Sequence, residues 1–247
     1  MHARACNIAA RVRASAKVFL LTGGAYTPSG ICDALCRCGL GEVSVTVGER
    51  LSYEDEKLTA GTAASLREAS FDPLSCMLVE NERPVTGVRT GLPDETFLRG
   101  DVPMTKSEVR ALILSKLALS RGSVVYDIGA GTGSVSVECA LSACDGTVYA
   151  VEKNPEAVTL IRKNAEKFGV PNLIPVEGTA PEAMGALPAP TLVFVGGSSG
   201  NLREILAAVC AKNPSARIVI SAVTLETVGE ASAGLAALGF MDYEAVA

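Results

Sequence analysis

One stretch constrains the fold of this chain more than any other: Val124-Val125-Tyr126-Asp127-Ile128-Gly129-Ala130-Gly131-Thr132-Gly133. A run of mainly apolar residues reads as a buried strand, passes into glycines at alternate positions, and continues into a helical pattern. Glycine is needed where a backbone turns tightly or where a ligand approaches the main chain. Nineteen residues beyond Gly133, Val148-Tyr149-Ala150-Val151-Glu152 ends the next strand pattern in an acid, placed to accept both hydroxyls of a ribose. Strand, glycine turn, helix, strand and terminal acid in this register predict a nucleotide-like ligand on an open α/β sheet.

Two ligand classes fit that arrangement. Dinucleotide enzymes use G-x-G-x-x-G, with the helix N-terminus facing a pyrophosphate. The pattern here is D-x-G-x-G-x-G, with Asp127 two residues before the first glycine. S-adenosylmethionine carries an ammonium and a carboxylate in place of phosphate, and Asp127 suits the ammonium, directly or through water. The spacing favours the methyl donor, with a nicotinamide-dependent oxidoreductase as the alternative.

Three further segments belong to the same edge. Glu177-Gly178-Thr179-Ala180 follows the next strand, where a methyl-donor fold grips adenine, so Thr179 and Ala180 are cofactor candidates. Gly196-Gly197-Ser198-Ser199-Gly200 ends the strand after that. Ligands of open α/β sheets sit beyond the carboxyl ends of the strands, so Gly197, Ser198 and Ser199 are expected on the substrate, where amides and a helix N-terminus can hold a carboxylate. Asp101-Val102-Pro103-Met104-Thr105-Lys106 precedes a helix and is expected to fold over the cofactor, bringing Thr105 to it. Lys106, Arg110 and Arg99 read as solvated charges.

The chain divides at Asn81–Pro93, where Asn-Glu-Arg-Pro and Thr-Gly-Leu-Pro interrupt every periodic pattern. Before the break, the predicted elements are strand 17–22, helix 28–38, strand 43–47, short helix 62–69 and strand 74–79. Thr27-Pro28 reads as an N-cap with proline in the first helical turn. After it come helix 105–119, opened by a Thr105-x-x-Glu108 capping box, strand 123–128, helix 133–142, strand 147–151 and a helix to Phe168. Strand 173–176, a short helix near 181–186, strand 191–195, helix 200–211, strand 216–222, helix 225–238 and a last strand 240–246 follow. Continuous apolar strands such as Leu192-Val193-Phe194-Val195 suit a parallel sheet covered on both faces.

Composition removes several chemistries. The single histidine, His2, sits at a terminus, so Ser-His-Asp and Cys-His catalysis and His-based metal sites are not expected. Cys6, Cys32, Cys36, Cys38, Cys76, Cys139, Cys144 and Cys210 form no C-x-x-C pair and read as reduced, mostly buried thiols in a cytoplasmic setting, with no metal. Lys plus Arg number 22 against 27 Asp plus Glu, a net charge of −5 with no basic run, which argues against nucleic acid. No apolar stretch approaches the roughly 18 residues a membrane span needs. Residues 1–32 carry no acid, yet Lys17–Thr22 reads as a strand and not as part of a targeting segment.

The motifs resemble those of a known family. Asp101-Val-Pro-Met-Thr-Lys, Asp127-Ile-Gly-Ala-Gly-Thr-Gly-Ser-Val-Ser, Glu152-Lys-Asn-Pro-Glu-Ala, Glu177-Gly-Thr-Ala-Pro-Glu-Ala, Gly196-Gly-Ser-Ser-Gly and Ala222-Val-Thr-Leu-Glu-Thr are similar to those of the decarboxylating precorrin methyltransferases of cobalamin biosynthesis. The resemblance runs from about Phe97 to the last residue. It implies a Rossmann-like class I S-adenosylmethionine-dependent methyltransferase domain over 95–247, lacking its last strand. Leu21-Thr-Gly-Gly-Ala-Tyr-Thr-Pro, Gly48-Glu-Arg-Leu-Ser-Tyr-Glu-Asp-Glu-Lys and Asp72-Pro-Leu resemble the second half of a tetrapyrrole methylase domain, which places a partial α/β domain over 1–82.

By the resemblance, Thr105, Gly129, Ala130, Gly131, Thr132, Gly133, Glu152 and Ala180 line the methyl-donor site. Thr179 departs from the family, which often has an acid there. The implied reaction methylates carbon 15 of a precorrin or cobalt-precorrin ring and removes carbon dioxide from an acetate arm at carbon 12. A non-catalytic tetrapyrrole-binding fragment is the other alternative. A missing edge strand implies self-association into a homo-oligomer.

Overall fold

The computed structural model describes residues 7–85, 90–240 and 243–246. His2, Arg4 and Cys6 lie outside the described residues. The chain divides into two compact units, Met1–Val88 with Glu166–Pro171, and Arg89–Ala165 with Asn172–Ala247.

The first unit contains α1 (Ile8–Ala14), β1 (Lys17–Leu21), α2 (Pro28–Arg37), β2 (Ser44–Glu49), β3 (Lys57–Thr62), α3 (Ala63–Leu66) and β4 (Ser75–Glu80). Its strands form an antiparallel sheet in the order β1-β4-β2-β3. Strand residues alternate between faces, and one face buries Val45, Val47, Met77 and Val79 against Val12, Ile31 and Leu35. The other face presents Phe19, Leu21 and Leu58, which are 64%, 82% and 65% exposed. Thr27 caps α2 as its sequence predicts, accepting from the Gly30 amide at 3.2 Å. Sequence patterning anticipates neither α1 nor β3, so the sheet gains a strand over the expected three.

The second unit runs α4 (Ser107–Leu117), β5 (Val124–Ile128), α5 (Ser134–Ser142), β6 (Thr147–Glu152), α6 (Pro155–Phe168), β7 (Leu173–Glu177), β8 (Leu192–Val195), α7 (Leu202–Lys212), β9 (Arg217–Ile220) and α8 (Leu225–Ala237). All its strand pairs are parallel, in the order β7-β6-β5-β8-β9. Tyr126, Ile128, Val193 and Val195 pack with Leu202, Ile205, Leu206 and Val209 of α7. The chain builds outward from β5 to β7, then crosses back to place β8 on the other side of β5. That reversal opens a crevice at the carboxyl ends of β5 and β8, where such sheets bind ligands.

Two expectations fail here. The Thr105–Glu108 capping box does not form, because the N-cap of α4 is Lys106 and no side chain caps it. The Thr105 carbonyl instead accepts from the Arg110 guanidinium, and the helix starts one residue later than the motif requires. Nor do the described residues of 240–246 form a strand. Phe240 donates back to the Leu235 carbonyl, while Tyr243 and Glu244 are held by side-chain contacts to Ser232 and Lys116 rather than by a sheet partner. Residues 241, 242 and 247 of that expected strand lie outside the described residues.

Candidate active site

A cavity of about 890 Å³ lies at the carboxyl edge of the parallel sheet. It is near the upper end of the roughly 300–1,000 Å³ typical of ligand sites. Thr105, Gly129, Ala130, Gly131, Glu152, Thr179 and Ala180 all line it, and so do Gly197, Ser198 and Ser199. The glycine turn, the acid and both following loops thus converge on one space, as their spacing predicts.

The turn's glycines answer different demands. Gly129 has φ +73°, and a Cβ there would meet the Gly197 oxygen at 2.6 Å and nitrogen at 2.7 Å. Two backbones therefore touch at the crevice, which only glycine permits. Gly133 has φ +76° and lies against Ile161 of α6, with 3.0 Å to a built Cβ, which lets α5 pack tightly. The Gly196 and Gly197 amides both donate to the Ile128 carbonyl, at 2.9 and 3.2 Å, and fasten the second loop to the first. Gly197, expected on the substrate, thus borders the same cavity as the glycine turn and touches Gly129 through its backbone.

Glu152 ends β6 inside the cavity. Its Oε2 accepts from the Gly131 amide and its Oε1 from the Asn154 amide, each at 2.9 Å. A carboxylate offers about four lone-pair sites, so both oxygens keep capacity for ribose hydroxyls. Across the cavity, Lys153 Nζ donates to Ser199 Oγ at 2.9 Å.

Asp127 is not in the cavity lining. Alternation along β5 turns Tyr126 and Ile128 toward α7 and Asp127 the other way, under α5. There it is 1% exposed, accepts a hydrogen bond from the Ser136 hydroxyl through Oδ2, and has an Oδ1 without a partner. Burial pushes its carboxyl up to about 7, opposed by the Ser136 bond and reinforced by the Glu152 charge. Thr132 and Gly133 also sit behind the lining, Thr132 with a buried, unpartnered hydroxyl. Period-two counting along β5 could have signalled this for Asp127.

Sequence reasoning missed two buried groups. Arg110, read as solvated, is fully buried and bonds Glu138 at 2.7 Å and Asp94 at 2.8 Å. Burial works to raise the Asp94 carboxyl, but hydrogen bonds from Arg110 and Lys106 hold it below its usual value. Asn164 of α6, also fully buried, donates to the Leu98 and Thr132 carbonyls and accepts from the Leu98 amide. The described cysteines, 32, 36, 38, 76, 139, 144 and 210, carry free thiols. Among the described residues no helix is long and apolar enough to cross a membrane.

Residues 96–239 match the precorrin methyltransferase domain, more than half of the chain. The chain belongs to that family. A probable cobalt-precorrin-6B C(15)-methyltransferase (decarboxylating) of Pyrobaculum calidifontis is 48% identical over 157 residues, 62% of this chain and 80% of that protein. A precorrin-6Y C(5,15)-methyltransferase (decarboxylating) of Sinorhizobium is 35% identical over 216 residues, 85% of this chain and 52% of that longer protein. Among solved structures, the precorrin-6Y C5,15-methyltransferase of Geobacter metallireducens superposes with a TM-score of 0.58 at 43% identity, over 60% of this chain and 79% of that one. Relatives and fold agree on a decarboxylating methyltransferase, and the oxidoreductase alternative gains no support.

Proposed function

We propose that the second unit binds S-adenosylmethionine and methylates carbon 15 of a precorrin or cobalt-precorrin, with loss of carbon dioxide from the acetate at carbon 12. One observation carries the reading. Glu152, at the end of β6, is fixed by the Gly131 and Asn154 amides at the floor of the cavity with acceptor capacity to spare.

The bound sulfonium would supply an electrophilic methyl and depart as a neutral thioether. The protein's work is then orientation, and alignment alone can contribute about 7–11 kcal/mol of barrier reduction. Glu152 would hold the ribose, while Thr179 and Ala180 border the adenine end. Ser198, Ser199, Lys153 and Lys106 give the rest of the cavity hydroxyls and ammonium groups that suit a macrocycle bearing carboxylates. As the acetate leaves as carbon dioxide, its electron pair passes into the ring's own conjugation, so no side-chain base is assigned. Burial of that carboxylate on binding would remove its water and favour the loss.

We read the first unit as the second half of a tetrapyrrole methylase domain. The 216-residue match to the Sinorhizobium protein supports this, because it is longer than the second unit's own family match.

Calorimetric titration with S-adenosylhomocysteine tests the methyl-donor assignment. Glu152→Ala is expected to weaken binding by about 1.5–3 kcal/mol, the scale for hydrogen bonds to a charged group. Unchanged affinity would move the site elsewhere, and NADH binding in place of S-adenosylhomocysteine would revive the dehydrogenase.

A further inference from the structure

The cavity wall formed by Val102, Pro103, Met104 and Thr105 belongs to a segment, 91–106, with little regular structure. Something must hold it in place, and the hydrogen bonds converge on one side chain. Arg110 Nε donates to Glu138 Oε1 at 2.7 Å, Nη1 to Asp94 Oδ1 at 2.8 Å and to the Thr105 carbonyl, and Nη2 to the Leu92 carbonyl. Its guanidinium carbon lies 4.7 Å from the centre of the Phe97 ring. Glu138 returns the arrangement: Oε2 accepts from the Gly91 amide at 2.6 Å and Oε1 from the Leu92 amide at 3.1 Å. Asn164 pins the middle of the segment at Leu98 and joins it to the Thr132 carbonyl of the glycine turn at 2.9 Å.

We infer that Arg110 is a positioning residue for the methyl-donor cavity, clasping the Thr105 end of segment 91–106 directly and the Gly91–Leu92 end together with Glu138, so that Val102–Thr105 stands as the wall facing the glycine turn. The inference rests on the methyl-donor reading of that cavity. A buried ion pair is weak support for stability, since well-packed apolar residues of similar volume often replace it without loss. Its value here lies in geometry. A guanidinium is a rigid fork of five donors, which lets one side chain serve Asp94, Glu138 and two carbonyls at once; an ammonium has no such fork. The wall also presses on the turn, since a Cβ at Gly131 would stand 3.0 Å from the Pro103 carbonyl oxygen. A shift of the segment therefore reshapes the space in front of Gly131 although Arg110 does not line it.

The test pairs hydrogen exchange of the full chain with S-adenosylhomocysteine titration. The double variant Arg110→Met/Glu138→Leu removes both charges together and leaves no lone buried ion. It should keep its melting temperature within a few degrees, yet exchange in 91–106 should quicken at least tenfold and ligand affinity should fall at least tenfold. Arg110→Lys, which keeps the charge and loses the fork, should show the same change in smaller degree. In turnover it should raise KM for the methyl donor more than it lowers kcat. Wild-type exchange and wild-type affinity in the double variant, or in Arg110→Lys should the double variant fail to fold, would overturn the clasp. Glu152→Ala separates the two ideas: it should lose ligand while 91–106 stays protected. If the unaltered protein takes up no S-adenosylhomocysteine, the methyl-donor reading falls, and exchange in 91–106 alone decides whether Arg110 holds the segment.

Discussion

Parallel and antiparallel pairing put strand ends in different places, and the two units of this chain show the consequence. In the second unit five parallel strands finish on one edge, so the residues at and after Ile128, Glu152, Glu177 and Val195 meet around one cavity. In the first unit neighbouring strands run in opposite directions, and their ends alternate between edges. Its loops gather a smaller cavity of about 370 Å³ beside Thr22, Gly23, Gly24 and Asp72. Glycines mark turns in both units, but in the second the glycine turn of β5 presses against the backbone of another loop of the same cavity, Gly129 on Gly197. The comparison teaches that a glycine-rich turn gains chemical meaning from what converges on it.

Gly129→Ala against Gly24→Ala is the sharpest way to break the comparison. At Gly129 a methyl would add left-handed strain, typically about 1–2 kcal/mol, and overlap the Gly197 backbone at 2.6 Å, which cannot rotate away. Overpacking adds about 1–3 kcal/mol, so a loss on the order of 2–5 kcal/mol is expected, with S-adenosylhomocysteine binding abolished. Gly24 has φ +59° and nothing within 4 Å of a built Cβ, so only the strain remains. Thermal denaturation of the two variants should differ by several degrees. Equal losses would mean that the Gly129–Gly197 contact is unimportant.

Legibility followed the same division. Strands buried on both faces are continuous apolar runs, and 124–128, 147–152 and 192–195 could be read directly, together with the turn and Glu152. Strand β3, Lys57-Leu-Thr-Ala-Gly-Thr, alternates only weakly and turns its apolar Leu58 and Ala60 to the exposed face, so it is a strand because β2 pairs with it along its whole length. Arg110 was unreadable for another reason: its partner Glu138 lies 28 residues away on a different helix, and no local pattern distinguishes a buried arginine from a solvated one. Asp127 was legible as an acid near the turn, but its burial under α5 required the facing of β5 to be followed through.

Asp127 sharpens the contrast through pH. In the first unit the buried acid Glu49 accepts from the Asp72 amide at 2.8 Å and faces Lys57 at 3.3 Å. Asp127 has no such cation; Ser136 bonds it, and the Glu152 charge acts on it. Its folded carboxyl titrates near 7 against about 3.9 unfolded. The native state therefore binds the extra proton, and this contribution is complete below about pH 4 and lost as pH rises through 7. Asp127→Asn keeps the shape and the acceptor for Ser136 while removing the titration. Relative to the wild type its stability should climb between pH 4 and pH 8 by an amount on the order of 2–4 kcal/mol. Parallel denaturation curves at both pH values would show that Asp127 is ionised in the fold throughout.

The smallest expected effects concern two threonines that the sequence presents as equivalent helix caps. Thr27 caps α2 in the first unit, with Oγ1 accepting from the Gly30 amide and Pro28 in the first turn. Thr105 does not cap α4; its carbonyl goes to Arg110, and it lines the cavity. Thr27→Ala should therefore cost about 1 kcal/mol, the usual value of a lost cap. Thr105→Ala should change stability by less than about 0.5 kcal/mol, as substitutions away from structural features do. Ligand binding should reverse the order, with S-adenosylhomocysteine affinity falling a few-fold in Thr105→Ala and unchanged in Thr27→Ala. Urea denaturation beside calorimetry separates the outcomes. A Thr105→Ala loss as large as that of Thr27→Ala would restore the capping box and remove Thr105 from the cavity's function.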